Sequence, residues 1–561
     1  PDGGGWGNGE GKADYTVYYY AQFSKPLADY GFWSADIPEG WVRKRDEVVS
    51  IPYLTRVSQA PVIKDKKELE GKHLGFFTEF PTKEGETVEM KVGISFVDME
   101  GAANNFKQEI ASKDLEQVKK EATDLWNKEL SRIRISGGTE DEKTIFYTAM
   151  YHTMIDPRIY TDVDGRYVGG DYKIHTTDSA FTKRTIFSGW DVFRSQFPLQ
   201  TIINPCLVSD ELNSLISMAE QSGREYYERW EFLNSYSGCM LGNPALSVLA
   251  DAYVKGIRTY DVEKAYRYAV NTSRHFGNDS LGYIPEPLSI STTLEYAYTD
   301  WCISQVAQAM GKNEDARYFY EKGQAYHNIF DKEKGWFRPR KADGSWVAWP
   351  ENARLKEWYG CIEANSYQQG WFVPHDVSGM VELMGGKEKV IEDLIYFFSK
   401  TPSNMLWNEY YNHANEPVHF VPFLFNQLAV PWHTQKWTRY TCEKAYANKV
   451  EGIVGNEDVG QMSAWYVLAA SGIHPSCPGN TRMEITSPVF DEVEFALDPA
   501  YYSGKKFTVI AHDNSVDNVY IQKALLNGKE YNKCYLDFTD IVSGGTLELF
   551  MGDTPNKEWG I

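Results

Sequence analysis

The spacing of apolar residues changes twice along the 561-residue chain, and this limits the folds available to it. Before about residue 100, apolar residues alternate with polar ones, as over Val88–Val97, which is typical of strands. Between about 140 and 475 they recur with helical spacing, as over Thr293–Met310. Strand patterns return after about 480, as over Phe507–Ala511. This order predicts a β domain, a large helical domain and a second β region.

A linker helix is expected between the first two regions, because apolar residues from Phe106 to Leu130 recur every three to five positions among charged ones. The short helices and long aromatic loops that follow favour an all-α toroid with a site on its loop ends. The predicted domains are a β-sandwich over 1–103, the linker helix over 104–136, the helical domain over 137–478 and a C-terminal β region over 479–561.

The composition excludes several classes of protein. Asp and Glu outnumber Lys and Arg by 78 to 57, and the net charge of −21 argues against binding to nucleic acid or anionic lipid. None of the seven cysteines forms a CxxC pair, which argues against zinc knuckles and thioredoxin-like chemistry. No apolar run approaches the roughly 18 residues of a membrane span.

The loops of the helical region hold four stretches that can carry chemistry. The first contains Trp190 and Asp191, which are followed by Arg194. A tryptophan face covers the apolar face of a sugar, while a neighbouring carboxylate accepts from its hydroxyls. A buried tryptophan with Asp191 as a helix cap paired to Arg194 explains the stretch equally well.

The second stretch places Glu363 among aromatic residues. Desolvation disfavours the charged form of such a carboxyl and raises its pKa, as a general acid requires. A structural glutamate bonded to backbone is the alternative.

The third stretch runs from His413 to His419 and includes Asn415 and Glu416. Pro417 holds Glu416 extended, and adjacent amide and carboxylate oxygens are hard ligands that suit Ca²⁺. Zinc lacks a suitably spaced third ligand, and a polar turn without a ligand is the alternative.

The fourth stretch carries Asp458 at the predicted start of a helix over Asp458–Ser471. The helix macrodipole favours an acidic residue there for stability alone. It would also keep Asp458 ionised, as a general base must be. One carboxyl of raised pKa and one of lowered pKa form the acid–base pair of glycoside hydrolysis.

Taken together, these stretches resemble glycoside hydrolase family 92, the calcium-dependent, inverting exo-α-mannosidases. The resemblance implies an N-terminal β-sandwich, a linker helix, an (α/α)6 barrel and a small C-terminal β region. The matching stretches are G-W-D-V-F-R (189–194), T-L-E-Y-A-Y-T-D-W-C (293–302), E-A-N-S-Y-Q (363–368), W-F-V-P-H-D-V (371–377), N-E-P-V-H (415–419), P-W-H-T-Q (431–435), G-N-E-D-V-G-Q-M-S-A-W-Y (455–466) and M-G-D-T-P-N-K-E-W-G (551–560).

The resemblance also implies roles for individual residues. Glu363 would be the general acid and Asp458 the general base, and inversion implies roughly 6.5–9.5 Å between their carboxyl groups. The remaining implied residues are Glu416 and Asn365 for the calcium ion, Trp190, Asp191, Asn415 and His419 for the substrate, and Asn456 beside the base.

The chain departs from the family pattern at several points. Asn456 stands where many members have aspartate, and Ala364 where they usually have glycine. The stretch 402–413 is short, whereas α-1,2-specific members tend to carry a longer loop here, which argues against that linkage. The family's glycine-rich opening is missing, so the β-sandwich is expected to be incomplete.

Mannose-containing glycans are the partners that the resemblance implies, and secretion or a periplasmic location is expected although no signal peptide is visible. Two other functions stay open. One is another (α/α)6 hydrolase or phosphorylase acting on α-glycosides, and the other is a non-catalytic, calcium-dependent glycan-binding protein. The sequence gives no oligomeric state.

Overall fold

The computed structural model describes residues 13–38 and 51–561. This part of the chain forms two compact units. One spans Val17–Val118, and the other contains Lys119–Ile561 together with residues 13–16. Among the described residues, no helix is both long enough and apolar enough to cross a membrane.

The described residues of the first unit form two small antiparallel sheets. Its strands are β1 (Tyr18–Phe23), β2 (Asp29–Ser34), β3 (Val62–Ile63), β4 (Leu74–Glu79) and β5 (Met90–Ser95), and its helices are α1 (Ile51–Ser58) and α2 (Met99–Glu109). One sheet pairs β1 with β5, and the other has the order β3-β2-β4. Helix α2 packs on β5 at Gly93, where a Cβ atom would lie 2.4 Å from the carbonyl oxygen of Ala102.

The single linker helix predicted over 104–136 is wrong, because the structure has two helices and a strand there. α2 ends at Glu109, α3 covers Leu115–Leu130, and residues Ile133–Ser136 form β6. Asp114 starts the second helix, since its carboxylate accepts from the backbone N–H of Gln117 at 2.8 Å. A five-residue step in the apolar pattern falls at this break, between Ile110 and Leu115, but the same step recurs inside α3 between Leu125 and Leu130.

The helical domain follows. Its helices are α4 (Glu140–His152), α5 (Gly189–Val192), α6 (Gln196–Ile203), α7 (Pro205–Gln221), α8 (Pro244–Val254), α9 (Val262–Phe276), α10 (Ser289–Ala309), α11 (Asn313–Lys322), α12 (Ser366–Gln369), α13 (Val377–Leu383), α14 (Lys387–Ser399), α15 (Leu424–Gln427), α16 (Pro431–Lys444) and α17 (Gln461–Ala470). Short strands occupy its loops: β7 (Arg158–Ile159), β8 (Arg166–Val168), β9 (Ile174–Thr176), β10 (Arg184–Thr185), β11 (Glu231–Phe232), β12 (Ser235–Tyr236), β13 (Phe330–Asp331) and β14 (Trp336–Phe337).

Burial separates inner helices from outer ones. Every residue of α17 is buried, and in α8 only Val254 is not, so these helices lie inside. In α14 the buried residues Val390, Leu394, Phe397 and Phe398 fall on one face, as expected of an outer helix. The N-terminal β domain followed by a helical barrel confirms the predicted fold.

The C-terminal β region forms two sheets. Its strands are β15 (Ile473–Pro475), β16 (Arg482–Ile485), β17 (Glu492–Ala496), β18 (Lys506–His512), β19 (Tyr520–Leu526), β20 (Lys529–Glu530), β21 (Tyr535–Asp537) and β22 (Gly545–Gly552), with one short helix, α18 (Phe538–Val542). The larger sheet has the order β20-β19-β22-β18-β17-β6, with β18 and β22 parallel. Leu547, Leu549 and Met551 alternate towards the core.

Candidate active site

Three carboxylates from distant parts of the helical domain meet in one cluster. Asp191, Glu416 and Asp458 each bring an oxygen within 4.8 Å of the others, and the first two are buried. Burial raises the pKa of Asp191 and of Glu416 well above the ordinary value, and the charge of Asp458 raises both further. A cluster of this kind is stable only when a proton or a cation reduces its negative charge.

Asp191 lies in α5, and hydrogen bonds fix the turn that carries its side chain to the cluster. Ser188 donates a hydrogen bond to its carboxylate, and Arg194 donates from Nε to the backbone carbonyl of Trp190 at 3.0 Å. Asp191 therefore is not the helix cap that the alternative interpretation predicted, since position N-cap belongs to Ser188.

Glu416 begins a short 3₁₀ helix over Glu416–Val418, in which Pro417 needs no hydrogen-bond partner for its nitrogen. Both carboxylate oxygens of Glu416 are buried and receive no hydrogen bond from a protein donor. Such unpaired buried oxygens are rare and need a ligand, an ion or a proton. The positive charge of Arg194 lowers the pKa of Glu416 in part.

The sequence predicted a lowered pKa for Asp458, and this prediction is wrong. The helix begins at Gln461 rather than at Asp458, because Asp458, Val459 and Gly460 have φ values of 49°, 60° and 98°. The macrodipole therefore does not start at Asp458, and burial raises its pKa, although the interaction with Glu416 lowers it in part. A left-handed backbone at a β-branched residue such as Val459 is strained, and strain of this kind is often found at functional sites.

Glu363 lies close enough to Asp458 for their charges to interact. Burial raises the pKa of Glu363, as predicted, and the charge of Asp458 raises it further. Glu363 has a φ of 48°, so it shares with Asp458 a backbone conformation that non-glycine residues seldom adopt. Its carboxyl group is half-buried, which leaves it accessible to a substrate oxygen.

Two asparagines hold Glu363 in place. Asn415 donates from Nδ2 to the backbone carbonyl of Glu363 at 2.8 Å. Asn365 caps α12, because its Oδ1 accepts from the N–H groups of Tyr367 and Gln368 while its Nδ2 donates to the carbonyl of Glu409. The side chain of Asn365 therefore serves the start of α12, and its role as a metal ligand stays a prediction.

Trp190 does not provide the predicted sugar platform. Its side chain is only 2% exposed, and the guanidinium of Arg194 lies 4.9 Å from the ring centre. Trp190 instead donates from Nε1 to the carboxylate of Glu295 at 3.0 Å. Glu295 is fully buried, which raises its pKa to about 7, and Nη2 of Arg194 lies 3.7 Å away.

His419 is likewise committed to protein contacts. It is 1% exposed, with Nε2 3.1 Å from the carbonyl of His413 and Nδ1 3.2 Å from Nε2 of Gln461. Its predicted contact with substrate therefore does not fit, and it supports the loop that carries Glu416. Asn456 is exposed, and its neighbour Glu457 accepts from the N–H of Ser463 at 3.3 Å.

The residues of the cluster fit a divalent cation. Carboxylate oxygens are the hard ligands that Ca²⁺ prefers, and both oxygens of Glu416 have no protein donor. The site therefore offers Glu416 and Asp191 as ligands, with Asp458 beside them.

Residues 101–553 match the glycosyl hydrolase family 92 catalytic domain, and residues 2–95 match the N-terminal domain of the same family. The chain belongs to glycosyl hydrolase family 92. This confirms the resemblance read from the motifs. The range that matches the catalytic domain contains Asp191, Glu416 and Asp458, as well as Glu363.

Solved structures of family members superpose on most of the chain. A family GH92 α-mannosidase of Bacteroides thetaiotaomicron is 30% identical, with a TM-score of 0.86 over 98% of this chain and 71% of its own. An inverting family GH92 mannosidase of the same organism is also 30% identical, with a TM-score of 0.86 over 99% of this chain and 75% of its own. A secreted glycosidase of Arthroderma benhamiae is 28% identical over 84% of this chain. The match covers 61% of the length of that relative.

Sequence reasoning missed how Asp191 and Glu295 act. The substrate contact of Asp191 stays a prediction, and the structure adds that its carboxylate lies beside those of Glu416 and Asp458. Glu295 belongs to the matching stretch 293–302 but has no predicted role, although an acidic residue in a largely apolar helix indicates a buried partner. That partner is the turn containing Trp190 and Arg194.

Proposed function

We propose that the chain is an exo-α-mannosidase that releases terminal α-linked mannose with inversion and depends on Ca²⁺. The observation that supports this most is the meeting of Asp191, Glu416 and Asp458 next to Glu363. The inverting mannosidase that superposes on 99% of the chain supports the stereochemistry.

Glu363 would act as the general acid. Its raised pKa favours the protonated form that a general acid needs, and this proton passes to the glycosidic oxygen as the bond to the sugar carbon breaks. The alcohol then leaves neutral. Asn415 positions the backbone of Glu363 for this transfer.

Asp458 would act as the general base. It removes a proton from a water molecule as the water oxygen bonds to the sugar carbon on the face opposite the leaving group. Its pKa must fall for this role, and a bound Ca²⁺ held by Glu416 and Asp191 would supply the positive charge that favours the ionised form. The sugar formed first is β-mannose.

The substrate class is expected to be mannose-containing glycans with linkages other than α-1,2, because the stretch 402–413 is short. A solved complex of the Bacteroides α-mannosidase contains mannoimidazole, which supports mannose in the same pocket here. Secretion or a periplasmic location is also part of the proposal, supported by the relative described as secreted.

A panel of linkage-defined α-mannobiosides, each incubated with calcium and with a chelator, tests the proposal. We expect hydrolysis of at least one linkage, loss of activity on chelation, and recovery on adding Ca²⁺. Turnover only in the presence of phosphate would instead identify a phosphorylase, and calcium-dependent binding without turnover would identify a glycan-binding protein. Both outcomes would contradict the proposal.

A further inference from the structure

The side chain of Gln461, the first residue of α17, is fully buried and makes every hydrogen bond that a carboxamide can make. Its Oε1 accepts from the backbone N–H groups of Ser195 at 2.9 Å and of Gln196 at 3.2 Å. Its Nε2 donates to Oγ of Ser195 at 3.1 Å and to Nδ1 of His419 at 3.2 Å. Two lone pairs and two protons are all that a carboxamide offers, so these bonds satisfy it completely.

The partners determine which end of the amide faces which segment. A backbone N–H can only donate, so the atom that faces Ser195 and Gln196 must be the oxygen. Nε2 therefore donates to Nδ1 of His419, which places the ring proton on the other nitrogen, where the carbonyl of His413 accepts it at 3.1 Å. Burial lowers the pKa of His419 to about 3, so the ring stays neutral and Nδ1 stays an acceptor.

These bonds join three segments, each of which carries one carboxylate of the acidic cluster. Asp191 lies in the turn that precedes α6, whose first N–H groups bond to the amide oxygen. His419 ends the 3₁₀ helix that begins at Glu416, and its N–H donates to the carbonyl of Glu416 at 3.0 Å. The N–H of Gln461 itself donates to the carbonyl of Asp458 at 3.2 Å.

The cluster needs such a connection because its members repel one another. Three carboxylate oxygens lie within 4.8 Å of one another, and like charges at that distance favour separation of the segments. A Ca²⁺ site requires its oxygens to be spaced for bonds of about 2.3–2.6 Å. A buried side chain that is bonded to all three segments resists their separation. Its own oxygen already accepts two hydrogen bonds, so it has no part in binding the ion.

We propose that Gln461 is a positioning residue that fixes the spacing of the three carboxylates in the acidic cluster. It acts through the start of α6 and through the ring of His419. Glutamate would have no proton for Nδ1 of His419, and methionine would leave the N–H groups of α6 unpaired, so a carboxamide suits both neighbours. The consequence for calcium binding rests on the proposed function.

One pair of substitutions tests the role of the side chain as a whole. Gln461→Met keeps the length of the side chain and removes its four hydrogen bonds. Gln435→Met is the matched control, because Gln435 is also buried on a helix and its Oε1 accepts from the N–H of Ile521 in β19 at 2.9 Å. Both variants lose buried hydrogen bonds, but only the first loses its bonds to the segments of the cluster. The measurements are calorimetric titration of the full chain with Ca²⁺ and hydrolysis of an aryl α-mannoside at saturating calcium.

A second pair tests the bond to His419 while Gln461 stays unchanged, and it applies even if Gln461→Met does not fold. In His419→Asn the amide oxygen is as many bonds from Cβ as Nδ1 is, so it can still accept from Gln461. In His419→Gln the amide lies one bond further out, at the level of Nε2, so it keeps the bond to the carbonyl of His413 instead.

We expect the Kd for Ca²⁺ to rise about tenfold or more, and kcat to fall about tenfold or more, in Gln461→Met. Both should stay within about twofold of the parent in Gln435→Met. His419→Gln should bind calcium about threefold or more weakly than His419→Asn.

The proposal is overturned if Gln461→Met and Gln435→Met lose the same calcium affinity. It is also overturned if His419→Asn binds calcium no more tightly than His419→Gln. An unmodified chain that neither binds calcium nor hydrolyses the mannoside would instead refute the proposed function, and Gln461 would then have no calcium site to position.

Discussion

Replacing Glu416 by glutamine should stabilise the calcium-free protein while removing its response to calcium. The carboxylate of Glu416 lies within 4.8 Å of those of Asp191 and Asp458. At that distance and an effective dielectric constant of about 20, each pair of like charges repels by about 3.5 kcal/mol. Bound protons relieve part of this repulsion, because the pKa values of Glu416 and Asp191 are raised.

The expected gain is therefore smaller, about 1–3 kcal/mol in the free energy of unfolding in chelator. The glutamine amide can also donate a hydrogen bond to a neighbouring carboxylate. In the unmodified chain, calcium at about 100 times its Kd should add roughly 2.7 kcal/mol, and the Glu416→Gln variant should gain almost nothing. Glu530→Gln, at an exposed position, is the charge-matched control.

Chemical denaturation in chelator and in calcium measures both effects. The reasoning fails if Glu416→Gln is less stable than the parent in chelator, since the cluster would then not be repulsive. It also fails if calcium stabilises the variant as much as the parent, since Glu416 would then not be a ligand.

Three further predictions address the catalytic pair, the support of the site and the pH dependence of stability. Glu363→Gln and Asp458→Asn should each lower kcat by about 10²–10⁴-fold, but only the Glu363 variant should recover on an aryl mannoside with a good leaving group. Gly242→Ala should lower the free energy of unfolding by about 1–3 kcal/mol in urea titrations, because φ is +78° and the new Cβ would lie 2.4 Å from Glu295. Burial lowers the pKa of folded His375 to about 4, below the roughly 6.5 of the unfolded chain. The free energy of unfolding should therefore be highest above pH 6.5 and should decrease by up to about 3 kcal/mol as the pH falls towards 4. The loss, measured by urea titration at several pH values, should be smaller in His375→Gln.

Each of these predictions has a contrary result. Equal recovery of both catalytic variants on the activated substrate would remove the separate roles of acid and base. Normal stability of Gly242→Ala would show that Glu295 can move without cost. The same pH dependence in His375→Gln as in the parent would mean that other groups account for the loss.

The order of domains was predictable because it depends on local periodicity. The alternation that ends in β22 and the apolar helices α8 and α17 are visible in the sequence. The break between α2 and α3 was not foreseen, because a helix cap at Asp114 interrupts a pattern whose apolar spacing continues nearly unchanged.

The site was predictable in part. The desolvation that raises the pKa of Glu363 follows from its aromatic neighbours, and the structure bears this out. The lowered pKa expected of Asp458 was wrong, because the left-handed backbone at Asp458 and Val459 delays the helix, and long-range packing decides that conformation. The burial of Trp190 and His419 depends on partners more than 40 residues away, which spacing alone does not reveal.

The first anomer released from an α-mannoside is the most direct test of the proposed mechanism. ¹H NMR of the reaction in its first minutes, with calcium and with a chelator, distinguishes β-mannose from α-mannose before the two interconvert. We predict β-mannose as the first product with calcium and no product with chelator. α-Mannose as the first product, or hydrolysis that continues in chelator, would contradict the proposal.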